Sequence, residues 1–316
     1  MKFAHIADTH IKNLKYHYEY REVFKQIYET LKEKEVDYIV HCGDLAHTKT
    51  QLSPEFFEMA SDFLKNLADI APVHMILGNH DGNLKNSSRQ DAITPVVEAL
   101  AHPNLHLHKD ACEVVLDGGY ALNVLSVFDE DNWVTPTSED NVNIALYHGA
   151  VSGVKTDLGW IMEHGDHDIS IFEGFDFAFL GDIHKTNQVL DEDGRVRYAG
   201  STIQQNHGET NDKGLLLWEI QDKDNFTCEH LAFKNPKPFI TIELTPKGRM
   251  PRGTNIPVGS RLRLVSNNNL PLSRMKKAVD IAKHRFQPES ITFLNRAAGQ
   301  RGTVEDITNS LKVEDL

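Results

Sequence analysis

Short apolar runs and amphipathic stretches alternate over the first hundred residues. KFAHIA, DYIVHC and VHMIL read as buried strands. Between the first two, REVFKQIYETLKEKE sets Val23, Ile27, Tyr28 and Leu31 on one helical face. SPEFFEMASDFLKNL comes next, with Ser53 placed to cap a helix, Pro54 in its first turn and an apolar face behind. This βαβαβ series predicts parallel strands joined by right-handed crossovers, with a site outside their carboxyl ends. Past residue 105 the pattern becomes β-rich: EVVL, ALNVLSV, NIALYH, DFAFLG, RVRYAG, GLLLWEI and FTCEHLAF, with turn chemistry at Asp117-Gly-Gly and Asp193-Gly. Meanders are expected there, and two facing sheets flanked by helices would accommodate both halves. Asn235-Pro-Lys-Pro238 interrupts the pattern and marks a domain boundary. Beyond it FITIEL, SRLRLVS, LPLSRMKKAVDIAKHRF and SITFLN predict two strands, an amphipathic helix and a further strand, a small α/β unit of its own. No internal repeat or low-complexity stretch is present.

Charge changes the picture only once it is split. The chain of 316 residues holds 33 Lys/Arg and 46 Asp/Glu, a net of −13. Residues 240–316 carry 13 and 7 of these, leaving 20 and 39 in residues 1–239. A basic unit on an acidic body is expected where one part meets a polyanion and the other holds cations; a merely solvated helix face explains the basic part as well. Three cysteines, Cys42, Cys112 and Cys228, have no paired spacing, which argues against a disulfide framework and a thiolate zinc site. The chain opens on a strand-like segment without a charged-then-apolar leader, and no apolar run approaches the roughly 18–20 residues of a membrane span. A cytoplasmic protein is expected, of a cell or of a phage acting inside its host.

The chemistry lies where the apolar runs stop. Asp8-Thr-His10 follows KFAHIA, Gly43-Asp44 follows DYIVHC, and Gly78-Asn79-His80-Asp81 follows VHMIL. His148-Gly149 follows NIALY, and Gly181-Asp182-Ile-His184 follows FDFAFL. Alone, an Asp-x-His or a Gly-Asp is more often a turn than a site. Five strand ends that all finish on metal-competent residues can fix two ions in a shared crevice. Asp44 suits a carboxylate bridging ions roughly 3.5–4 Å apart. Asn79 would add a neutral oxygen, and His148 and His184 imidazoles. Nitrogen and oxygen donors without sulfur point to Mn²⁺, Fe or Mg²⁺ rather than structural zinc. His80 could protonate a leaving oxygen, with Asp81 orienting its ring. His164 and His167 read as a solvated loop, His5 and His41 as core or supporting histidines, and Cys42 as a small buried residue.

Taken together, Asp8-x-His10, Gly43-Asp44, Gly78-Asn79-His80-Asp81, His148 and Gly181-Asp182-x-His184 resemble the calcineurin-like metallophosphoesterase superfamily over roughly residues 1–235. Gly43-Asp44-Leu-Ala-His47, and Tyr198-Ala-Gly200-Ser201 with Glu209 beyond, are most similar to its SbcD-type DNA-repair nuclease subunits. The resemblance implies a four-layer α/β/β/α sandwich over 1–235 and a small α/β DNA-capping domain over 239–316. It implies one metal on Asp8, His10, Asp44 and His184, a second on Asp44, Asn79, His148 and Asp182, and His80 as the catalytic histidine. His47 would sit by the substrate phosphate or support a bridging ligand. The family usually reads Gly-His-x-His where Asp182 stands here. A third carboxylate beside Asp8 and Asp44 should favour hard ions, so two cations per subunit are expected, Mn²⁺ before Mg²⁺, with Zn²⁺ inhibiting or failing.

The activity this likeness implies is that of a DNA nuclease acting from 3′ ends of duplexes and within single strands. The implied partners are DNA, a coiled-coil ABC-type ATPase of the SbcC kind and a second copy as a homodimer. Ser201, Arg249, Arg252, Arg261, Arg263, Arg274, Lys276 and Lys277 are candidate DNA contacts, and no series of aromatic residues spaced for stacking on a single strand is evident. The alternative is a cyclic-nucleotide or other small-molecule phosphodiesterase on the same scaffold, which the acidic body would suit. A protein phosphatase is disfavoured because no Asp-Arg-Gly follows Gly43-Asp44, and a non-catalytic scaffold because His80, which need not ligate, is present.

Overall fold

Alternation within each strand decides where its two faces go. The computed structural model describes residues 1–303, in two compact units, Met1–Lys234 and a second that begins at Asn235. The first unit runs β1 (Lys2–Ile6), α1 (His17–Lys34), β2 (Tyr38–Cys42), α2 (Pro54–Ala68), β3 (Val73–Ile76), α3 (Thr94–Leu100) and β4 (Leu105–His108). It continues with β5 (Cys112–Leu116), β6 (Tyr120–Leu125), β7 (Val142–His148), β8 (Phe177–Gly181), β9 (Gln188–Val189), β10 (Val196–Tyr198), β11 (Gly214–Ile220) and β12 (Phe226–Ala232).

These strands form two six-stranded sheets, ordered β12-β11-β1-β2-β3-β4 and β5-β6-β7-β8-β10-β9. In the first, β1 to β4 are parallel, β11 lies antiparallel to β1, and β12 lies antiparallel to β11. Ala4 and Ile6 of β1 face the helices and pack with Val23, Ile27 and Leu31 of α1 and Phe56, Phe63 and Leu64 of α2. Phe3 and Ala7 face the other way, into the apolar layer between the sheets with Val40, Ile76, Leu122, Leu146, Phe179 and Trp218. Ser53 caps α2 as its sequence predicts, its hydroxyl accepting from the Phe56 amide at 3.2 Å.

The α/β sandwich is the architecture expected, but its second sheet is not a meander. β6, β7, β8 and β10 run parallel, with antiparallel β5 and β9 at the edges. Residues 182–195, which include β9, connect β8 to β10, while residues 126–141 and 149–176 connect β6 to β7 and β7 to β8, and both of these exceed the dozen or so residues a parallel connection needs. The helical pieces in these two are short 3-10 turns, Glu130–Asn132 and Ile169–Phe172, so no helical periodicity betrays them. These connections, with Trp133, Val151, Val154 and Phe172, cover the outer face of the sheet. Short α3 and the Leu-His-Leu-His strand β4 lack a strong pattern, and the sequence does not predict them.

In the second unit β13 (Phe239–Glu243), β14 (Arg261–Ser266) and β15 (Ser290–Asn295) are parallel, and β16 (Gln300–Thr303) returns antiparallel to β15. Helix α4 (Leu272–Phe286) buries Met275, Ala278, Val279, Ala282 and Phe286 against Leu262, Leu264, Ile291 and Phe293. The expected capping domain extends to residue 316, and its residues 304–316 lie outside the described ones. Among the described residues no helix is long and apolar enough to cross a membrane.

Candidate metal centre

The five strand tips converge at the carboxyl ends of β1, β2, β3, β7 and β8. After β1 and β2 the loops stay side by side: the Asp8 amide donates to the Gly43 carbonyl at 3.1 Å, His10 to Asp44 at 2.9 Å and Ile11 to Leu45 at 2.8 Å. Asp8 and His10 hold left-handed backbone, with φ of 50° and 48°; Asp44 (57°) and Asp182 (93°) share it. Two glycines let the loops cross. A Cβ on Gly43, whose φ is +84°, would lie 2.8 Å from the Gly78 amide nitrogen, and one on Gly78 would lie 2.5 Å from that of Asp44.

All seven proposed ligands meet there. Ligand atoms of Asp8, His10 and His184 group closely, as do those of Asp8, Asp44 and His148. Asp44 joins the two groups through one atom: its Oδ2 lies 3.5 Å from His10 Nε2 and 3.4 Å from His148 Nε2. Its other oxygen accepts the His80 amide at 2.8 Å. Asp182 Oδ1 lies 3.8 Å from His148 Nε2 and accepts from the Asn79 side-chain amide at 3.0 Å. The Asp182 amide donates to the Asp8 carboxylate at 3.0 Å.

The donor set fits cations. His148 Nδ1 faces the Cys42 carbonyl at 2.7 Å, and a carbonyl only accepts, so Nδ1 carries the proton. That leaves Nε2 buried, without a hydrogen-bond partner and aimed at two carboxylates. Burial pushes Asp8 up to about 7, with Asp44 and Asp182 adding to it against the pull of His148 and His184. Asp182 is also raised, by burial first, while Asp44 is held below the usual carboxylate range because His148 and His10 outweigh its burial. Burial would lower His148 too, but the surrounding carboxylates raise it well above an ordinary imidazole. A site this anionic and this dry needs positive charge, and two divalent ions would supply it where protons otherwise must.

His47 and His80 flank the same centre, their ligand nitrogens grouped with those of His10. His80 is exposed, and its Nδ1 donates to the His47 carbonyl at 2.8 Å. That contact, not Asp81, orients the ring. The Asp81 carboxylate instead receives the amides of Asp44 and Ala46 at 2.8 Å and of Gly78 at 2.9 Å, a clamp across the second and third strand tips. Burial holds the His47 imidazole down at about 4, aided by Lys12 and His80.

Two proposed DNA contacts are corrected by burial. Ser201 is fully buried and its hydroxyl donates to Glu209 at 3.3 Å, so it braces the site from within. Arg261 is 5% exposed; it donates to the Lys237 carbonyl and to Glu289 at 2.9 and 3.1 Å and lies over the Phe239 ring, so it holds the second unit together. Arg249, Arg252, Arg274, Lys276 and Lys277 are exposed on that unit, and Arg263 is half-buried.

Several supporting residues carry no signal in periodicity. Glu209 orients His184 through Nδ1 at 2.9 Å. Lys213, 2% exposed, donates to the His184 carbonyl at 2.6 Å and to Asp157 at 2.9 Å. His41 donates to Thr9 at 2.9 Å and Thr9 to Thr202 at 3.1 Å, while Thr202 donates to the Ala7 carbonyl at 2.9 Å. Tyr198 donates to the Gly149 carbonyl at 2.7 Å, behind His148. His164 is exposed and His167 half-buried.

The profile of the family described as calcineurin-like phosphoesterase matches residues 1–269. An uncharacterized protein of Acanthamoeba polyphaga mimivirus is 35% identical over 283 residues, 84% of this chain and 20% of that protein. A protein of Invertebrate iridescent virus 6, whose name proposes phosphoesterase activity, is 24% identical over 71% of this chain and 77% of its own length. The DNA double-strand break repair protein Mre11 of Archaeoglobus fulgidus is 27% identical over 77% of this chain and 59% of its own. The chain thus spans only a fifth of the mimivirus protein and about three-fifths of the archaeal one.

Proposed function

The chain belongs to the calcineurin-like phosphoesterase family, whose members hydrolyse phosphoesters with divalent metals, and from that premise we propose that it is a DNA nuclease. The substrate is a phosphodiester of duplex 3′ ends and of single strands, and the metals are two Mn²⁺ or Mg²⁺ ions. The observation that carries the reading is the single Asp44 oxygen set between His10 and His148, the arrangement a bridging carboxylate needs. DNA as substrate is supported by the likeness to the archaeal repair protein and by the exposed cations at Arg249, Arg252, Arg274, Lys276 and Lys277. On the same reading the second unit caps the DNA, an ABC-type ATPase of the SbcC kind is the partner, and the chain pairs as a homodimer.

When bound, the two cations lower the pKa of a water and neutralise charge on the phosphoryl group. The rest falls to the chain. His80 donates its Nδ1–H to the His47 carbonyl, which fixes the ring's direction; as the imidazolium it carries a second proton on Nε2, and this is the proton it would deliver to the departing oxygen. Glu209 and the Cys42 carbonyl hold His184 and His148 so that their Nε2 atoms turn inward. Asp81 keeps Asp44 and Asn79 in place by holding the backbone on either side of them.

The test offers the Mn²⁺-loaded protein a 3′-labelled duplex, a labelled single strand, a cyclic nucleotide and bis-p-nitrophenyl phosphate. DNA degradation is expected, falling by about 10²–10⁴-fold in His80→Ala while metal uptake is retained. Turnover of the cyclic nucleotide alone would replace this reading with a small-molecule phosphodiesterase. Inactivity on all four with metals bound would leave a binding scaffold.

A further inference from the structure

Among the described residues Lys213 is the only buried lysine, 2% exposed. A flexible, strongly hydrated ammonium stays at the surface unless buried groups hold it. Three groups hold this one: the His184 carbonyl at 2.6 Å, the Asp157 carboxylate at 2.9 Å and Glu209 Oε2 at 3.8 Å.

His184 needs such a hold. Strand β8 ends at Gly181, so His184 stands beyond the ladder, two residues past the left-handed turn at Asp182. Its carbonyl also receives the Ser201 amide at 3.2 Å. Its ring is set by Glu209 Oε1, 2.9 Å from Nδ1, and its Nε2 comes to 2.9 Å from His10 Nε2. Two imidazole nitrogens on one shared cation stand about 3 Å apart. Lys213 therefore acts on both ends of the residue. It grips the main chain directly, and it faces the second oxygen of the carboxylate that turns the ring, an oxygen that also receives the Gln205 amide at 2.9 Å.

The other ligand group, Asp8, Asp44 and His148, is braced differently. The Cys42 carbonyl holds His148, and Asp81 holds the Asp44 amide. None of the three partners of Lys213 belongs to that bracing.

We propose that Lys213 is a positioning residue for the cation of His10 and His184, and for that cation alone. The inference rests on the two-metal reading and adds that the two ions are held by separate supports. Groups that orient a metal ligand from behind typically change metal affinity by about 10–100-fold.

The test titrates the metal-free protein with Mn²⁺ by calorimetry. Wild type is expected to take up two ions. Lys213→Met leaves two buried carboxylates without their cation, which endangers the fold, so Lys213→Met/Asp157→Asn, which also removes one of those charges, is measured beside it. In both, one ion should bind about 10–100-fold more weakly and the other as in wild type. Asp157→Asn alone keeps Lys213 on His184 and should bind both ions normally. In a His184→Ala background the first ion is already lost, and removing Lys213 should change nothing further; a general loosening of the fold would still weaken the ion that remains. Equal weakening of both ions, weakening of neither, or a further loss in the His184→Ala background would overturn the assignment and leave the two-metal reading standing. A wild-type protein that takes up fewer than two ions would remove that reading and the assignment with it.

Discussion

Asp8, His10, Asp44 and Asp182 hold left-handed backbone, which costs a non-glycine residue of order 1–3 kcal/mol and persists only when its surroundings impose it. Asp81 is the residue that imposes it on the second tip, through amides of Asp44, Ala46 and Gly78. Asp81→Asn turns a pure acceptor into a group that must aim N–H at N–H, leaving buried donors unmet at about 1–3 kcal/mol each. Urea denaturation should therefore show a loss of about 3 kcal/mol; an unchanged midpoint with only kcat lowered would restore Asp81 to the role of orienting His80. The proposed ligands were legible because each ends an apolar run. The roles of Asp81 and Ser201 were not, because neighbours along the chain say nothing of which distant amide or carboxylate a side chain will meet.

Among the elements, the βαβαβ half was legible from period and caps, and the parallel second sheet was hidden by crossovers without helices. The edge strand β4 was hidden by its histidines. His74 of β3 lies opposite His106 of β4, with rings stacked at 4.8 Å, and His74 Nδ1 meets His108 Nε2 at 3.0 Å. Burial, then the charges of His108 and His106, holds His74 down at about 3; burial and His106 hold His108 at about 4. Both lie below the roughly 6.5 of an unfolded chain. The unfolded state then takes up protons first, and stability falls as pH drops from about 6.5 towards 4, by at most ~1.4 kcal/mol per unit for each group. Melting temperatures from pH 7 to 4.5 should fall less steeply in His74→Phe. The same slope in both proteins would remove the stack as a source of acid sensitivity.

For the whole molecule, charge is divided between an acidic first unit and a basic second one, and the two need opposite counter-charges. If the exposed cations of the second unit meet phosphates, alanine at Arg249, Arg252, Arg274, Lys276 or Lys277 should each lower the slope of log affinity against log salt by about 1. Arg261→Ala should instead lower the melting temperature, since its partners are internal; a reduced slope with full stability would reverse that assignment. The acidic unit contains the proposed metal centre, and the claim most exposed to refutation is that this centre takes two ions. Equilibrium dialysis against excess Mn²⁺ with the bound metal counted per chain decides it. Two ions are expected in wild type and at most one in Asp44→Asn, which loses the shared oxygen. A wild-type protein that holds one ion or none would contradict the account.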